Sequence, residues 1–103
     1  METAKIADVL CSWAEAQPLI REVYIFGSRA RDEHRPDSDI DVAVKVNKAA
    51  GDYDEYTTWV FESDRLEETL AALLPLDVDL EWYDPEETPH VHAEILRSSL
   101  RVY

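Results

Sequence analysis

Two aspartates one residue apart, Asp39 and Asp41, stand in the stretch IFGSRARDEHRPDSDIDVAV, which spans residues 25–44. Ile40, Val42 and Val44 alternate around them, the pattern of a half-buried strand. Side chains two apart on a strand point to the same face, so the two carboxylates project side by side. Ionised groups drawn out of water cost several kcal/mol unless something neutralises them. Like charges at this range also raise each other's pKa. A divalent cation removes both penalties, and carboxylate oxygens suit Mg²⁺ or Mn²⁺.

Gly27-Ser28 precedes the aspartate pair and closes an apolar run. Glycine at a strand end lets backbone approach a ligand closely. A short helix over residues 28–33, capped by Ser28, would aim free N–H groups and the serine hydroxyl at an anion. A phosphate held there can bridge to metal held by Asp39 and Asp41. A third acid is offered by LDVDLEWY, residues 76–83, where Asp77, Asp79 and Glu81 alternate onto one face. Asp79 lies between Val78 and Leu80, so it is expected to be the most buried of the three and is the candidate general base. This is the layout of phosphoryl and nucleotidyl transfer, in which the protein mainly positions groups and neutralises charge.

Other residues admit plainer readings. Arg29, Arg31 and Arg35 serve to balance Asp32, Glu33 and Asp37, with Arg29 the best placed for a phosphate contact. His90 and His92 have metal-pair spacing but no third ligand near them, and are read as surface residues. Trp13, Trp59 and Trp82 suit a core or a partner interface better than base stacking. Cys11, the single cysteine, excludes an internal disulfide and is read as a small core residue.

The elements that must hold these groups follow from periodicity. Residues 2–17 read as a helix, 20–26 as a strand, and HRPDS as a turn. Residues 39–46 read as the strand of the aspartates. Residues 53–74 form the longest helix, with Tyr53, Tyr56, Val60, Leu66, Leu70 and Leu73 on the expected core face and acids opposite. Residues 76–83 form a third strand, 89–98 a short helix, and LRVY an edge strand. The order predicts an α/β or α+β fold, a small mixed sheet flanked by helices, with residues 1–103 as one domain.

Composition narrows the partners. The chain has 103 residues and a formal charge of -13, from 23 acidic and 10 basic residues. That argues against non-specific nucleic-acid binding and against docking on an anionic membrane. It suits metal ions or a cationic partner, met by the acidic face of the long helix. The start METAKIADVL lacks the features of a signal peptide, so a cytoplasmic protein is expected.

The motif residues Gly27-Ser28, Arg29-Ala30-Arg31 and Pro36-Asp37-Ser38-Asp39-Ile40-Asp41, with Val78-Asp79-Leu80, resemble the signature of the DNA polymerase β-like nucleotidyltransferases. The resemblance is nearest to their minimal nucleotidyltransferase (MNT) members and spans nearly the whole chain. It implies a nucleotidyltransferase fold that binds a nucleoside triphosphate with two divalent ions and passes the nucleotidyl group to a hydroxyl. Carried over, Asp39, Asp41 and Asp79 would be the catalytic, metal-binding carboxylates, and Gly27 and Ser28, with Arg29 beside them, would hold the nucleotide. It also implies an antitoxin that transfers AMP from ATP to a tyrosine of a HEPN toxin. The alternative is a non-catalytic module that masks such a partner by binding. Homo-oligomerisation is left open. The family usually has glycine where this chain has Asp32, a residue that tolerates left-handed backbone better than most.

Overall fold

The β-branched run IREVYIF becomes β1 (Ile20–Phe26), the strand around which the sheet is built. In the computed structural model, which describes residues 1–33, 35 and 38–103, the remaining elements are α1 (Thr3–Glu15), a 3₁₀ turn (Gly27–Arg29), β2 (Ile40–Val46), α2 (Glu55–Ala71), β3 (Val78–Trp82), α3 (Pro89–Arg97) and β4 (Ser99–Arg101). Strand order is β3-β2-β1-β4. β1 is antiparallel to β2 and β4, whereas β2 and β3 are parallel and joined through α2. The fold is thus a mixed sheet with helices on both faces, as expected from the element order. Of the turn assigned to HRPDS, residues 34, 36 and 37 lie outside the described residues.

Alternation decides which side chains each face receives. Val23 and Ile25 of β1, Ile40, Val42, Val44 and Val46 of β2, and Leu80 of β3 turn to one side. There they pack with Ile6, Leu10 and Trp13 of α1 and with Leu66 and Leu70 of α2. Burying each such side chain stabilises the fold by about 1.5–3 kcal/mol, so this is the main core. Phe26, Ala43 and Tyr83 turn to the other side and meet Ile95 of α3 in a smaller cluster. Asp41 shares this second face, because it is two residues from Ala43.

Several expectations need correction. The helix over 28–33 is a single 3₁₀ turn, and its cap position is Phe26, with no side-chain cap bond from Ser28. Its carbonyls instead close tight local bonds, such as Ser28 O accepting from Glu33 N at 2.9 Å. Of the face expected for residues 53–74, Tyr53, Tyr56, Val60 and Leu73 are exposed, not buried, and Tyr53 and Leu73 lie outside α2. The buried positions are Thr58, Leu66 and Leu70, with Trp59 partly buried against the same core. Asp54 caps α2 by accepting from Thr57 N at 2.8 Å, and Thr58 is buried with its hydroxyl on Asp52 at 2.7 Å. Cys11 is only half-buried, with Sγ 3.8 Å from Glu15 Oε1. His92 is not a bare surface residue: its Nδ1 shares a 2.7 Å hydrogen bond with the Tyr83 hydroxyl. No helix among the described residues is long and apolar enough to cross a membrane.

Candidate functional site

The parallel pairing of β2 with β3 sets Asp41 directly opposite Asp79. Adjacent strands are about 4.8 Å apart, so residues in register on one face are immediate neighbours. Asp39 precedes β2 by one residue and lies within electrostatic reach of Asp41. The three acids singled out by spacing are therefore gathered at one end of the sheet. Their exposures differ from the sequence expectation: Asp79 is exposed, as is Asp39, and Asp41 is the half-buried member. β3 is an edge strand with β2 on one side only, which leaves Asp79 open to solvent.

Among the described residues Arg31 is the cation that acts on Asp41, and it also lies 3.9 Å from Glu94. Burial, then the charges of Asp79, Asp39 and Glu94, push the Asp41 carboxyl above the ordinary carboxylate range, against the opposing pull of Arg31. Glu81, two residues along β3, is likewise pushed up by burial and by Asp79 and Asp41. Spacing alone hinted at Glu81, since it shares the Asp79 face. Glu94 had no such signal, because it arrives from α3 through tertiary packing.

Gly27 is required twice over at this end. Its φ is +74°, a left-handed conformation that side chains rarely adopt, and a Cβ there would sit 2.4 Å from Asp41 Oδ2. The backbone of the turn therefore lies against the carboxylate. Ser28 is half-buried in the same turn. Arg29 is only 3% exposed; its guanidinium donates to Ser38 O at 2.9 Å and to Met1 O at 3.3 Å. It thereby ties the turn to the residue just before Asp39. Asp32, at the family's glycine position, has φ +57°, so the chain keeps the left-handed backbone without the glycine.

The donor set is all hard oxygen, which fits a divalent ion such as Mg²⁺. Among the described residues no group of three or more histidine, cysteine, aspartate or glutamate side chains is drawn close enough to hold an ion by itself. Mg²⁺ takes one or two carboxylates and completes its shell with water and substrate phosphate. The acids Asp79, Asp39 and Glu94 around Asp41 make this end of the sheet electronegative.

The family model described as "Polymerase beta, Nucleotidyltransferase" matches residues 9–103. No curated protein matches the chain. Among solved structures, a protein assigned as a minimal nucleotidyltransferase is 29% identical, with a TM-score of 0.62, covering 94% of this chain and 88% of its own. A mutant of the toxin–antitoxin MntA-HpeT is 25% identical, with a TM-score of 0.59, covering 100% of this chain and 72% of its own. A toxin–antitoxin solved with AMP-PNP is 23% identical, with a TM-score of 0.66, covering 94% and 72%.

Proposed function

Because the chain belongs to the polymerase β nucleotidyltransferase family, we propose that it moves AMP from ATP onto a hydroxyl of a protein partner, a tyrosine of a HEPN toxin, with release of pyrophosphate, and so serves as its antitoxin in the cytoplasm. The observation that carries this reading is the half-buried Asp41, pushed up by Asp79 and Asp39, with the backbone of Gly27 laid against its carboxylate. Similarity to the toxin–antitoxin MntA-HpeT and to a toxin–antitoxin solved with AMP-PNP supports both the partner class and the nucleotide.

Asp39, Asp41 and Asp79 would hold two divalent ions, which when bound neutralise triphosphate charge and polarise the reacting phosphate. The chain's residues do the positioning. Gly27 removes the side chain that would bar the triphosphate from the carboxylates, and Ser28 offers its hydroxyl and N–H beside it. Arg29, buried on main-chain carbonyls, holds the turn and the Asp39 approach in register. Asp79, exposed at the sheet edge, is open to an incoming hydroxyl and would accept its proton.

Incubation with α-labelled ATP, Mg²⁺ and the product of the adjacent gene tests the reading. Labelled AMP should appear on the partner, and the double change Asp39→Ala, Asp41→Ala should abolish it. Label transfer that survives the double change sinks the mechanism. A second reading is masking without turnover, favoured by the exposed Tyr53, Tyr56 and Phe61 of the α2 region. It gains if the double variant still neutralises the partner in cells.

A further inference from the structure

At the far end of the parallel pair, Val44 stands opposite Trp82, three residues beyond the Asp41–Asp79 pair. That is about 10 Å along the strand, at about 3.3 Å per residue. Here the end of β3 and the start of α2 enclose a cleft of about 440 Å³. Its walls are two aromatic rings, Tyr56 and Trp82, with centroids 5.2 Å apart and planes tilted by 54°. Tyr56 is 54% exposed, and Val60, one helical turn further on the same stripe, is 52% exposed. Periodicity expected both residues in the core, yet the fold leaves them facing outward.

The rest of the lining is acidic, and among the described residues no lysine or arginine contributes to it. Two of the acids are occupied by the chain itself. Asp54 caps α2, and Asp84 accepts from the N–H groups of Glu86 and Glu87 at 2.9 and 3.0 Å. Glu55, Glu86 and Glu87 remain exposed around the ring pair. Aromatic faces and carboxylates together select a cation that is planar and weakly hydrated. A guanidinium meets both demands, since it stacks on rings and forks onto carboxylates. A metal ion would gain nothing from the rings, and nucleic acid is repelled by a chain of charge -13.

We infer that the Tyr56–Trp82 cleft receives an arginine side chain from a segment of a partner protein, its guanidinium against the rings and bridged to Glu55, Glu86 or Glu87. The contact requires no catalysis, and it lies apart from the carboxylate end of the sheet, so it goes beyond the transfer reaction proposed above.

The test uses ¹⁵N-labelled full chain titrated with the peptide acetyl-Gly-Arg-Gly-amide to about 10 mM, where a millimolar ligand is mostly bound. The Trp82 indole N–H and the amides of residues 54–56 and 84–87 should shift, and the citrulline analogue, equal in shape but uncharged, should move none of them. Tyr56→Ala should weaken binding by about threefold, the scale of an exposed cation–π contact. Glu55→Gln, Glu86→Gln and Glu87→Gln combined should weaken it further. Asp41→Asn should leave binding unchanged, which separates this cleft from the transfer site. An absence of shifts, equal shifts with citrulline or lysine in place of arginine, or shifts as large at Glu67 and Glu68 would each overturn the inference.

Discussion

Glu22 and Asp41 lie on the same face of the sheet, near opposite ends of the β1–β2 pair, and both are partly buried. Burial raises the pKa of each, yet their net shifts have opposite signs. For Glu22 the desolvation is outweighed by the Tyr24 hydroxyl, Lys45, Arg101 and Arg21, so its carboxyl ends below the ordinary value. Lys45 Nζ lies 3.6 Å from Glu22 and 5.2 Å from the Tyr83 ring centre, and Tyr24, bonded to Glu22, is pushed up to about 12. For Asp41 the neighbours are mostly further acids, and the shift is upward. The Glu22 end is internally satisfied and structural. At the Asp41 end the described acids outweigh the opposing Arg31, a condition that a bound cation would relieve.

Four substitutions sharpen or break that contrast. Asp41→Asn should lower transfer at least about 100-fold, since metal-assisted charge stabilisation is worth several kcal/mol. The same variant should melt higher than the parent at pH 7 in metal-free buffer. A raised folded pKa means that ionising Asp41 costs stability as pH climbs past the ordinary value of about 3.9. The gain should vanish at about pH 3, where Asp41 is protonated folded or unfolded. A lower melting temperature at pH 7 would show that the carboxylate is satisfied after all.

Gly27→Ala should destabilise by about 1–3 kcal/mol, from the positive φ and the clash with Asp41 Oδ2. Chemical denaturation measures it, and a loss below the range would mean that the turn relaxes freely. Glu22→Gln should cost up to about 1 kcal/mol at pH 7, the range for a partly exposed ion-pair network. Its lowered pKa makes that stability present above the unfolded value and lost as pH falls through the folded one. Melting curves of the Glu22 and Asp41 variants should therefore diverge from the parent in opposite directions as pH rises from acid to neutral. Smallest is Asp32→Gly, expected to stabilise by up to about 1 kcal/mol by relieving the left-handed aspartate. Unchanged denaturation midpoints would show that Asp32 holds φ +57° without strain.

Much of the architecture was legible in the chain. The strand over residues 20–26 has the bounds periodicity assigns, the final edge strand is present, and the aspartate strand begins one residue late. These elements follow from local alternation and punctuation, which neighbours in sequence specify. Burial was harder to read. Asp79 looked interior because Val78 and Leu80 flank it, but its strand turned out to be an edge. Tyr56 and Val60 looked like core because their stripe is helical, but the fold leaves both about half exposed. Arg29 was read as the arginine best placed for a phosphate contact, and it is buried with its guanidinium on main-chain carbonyls.

The sequence by itself determined that Asp39 and Asp41 lie close together, that glycine ends the strand before them, and that a third acid sits on another strand. Those are consequences of a two-residue repeat and of one residue's missing Cβ. Only the tertiary structure decided that Asp79 stands opposite Asp41, that Glu94 reaches the same end from α3, and that Lys45 and Arg101 go to Glu22 instead. Electrostatic energy depends on distance through space, and the distances between these groups exist only once β2 has paired with β3 and α3 has packed across the face.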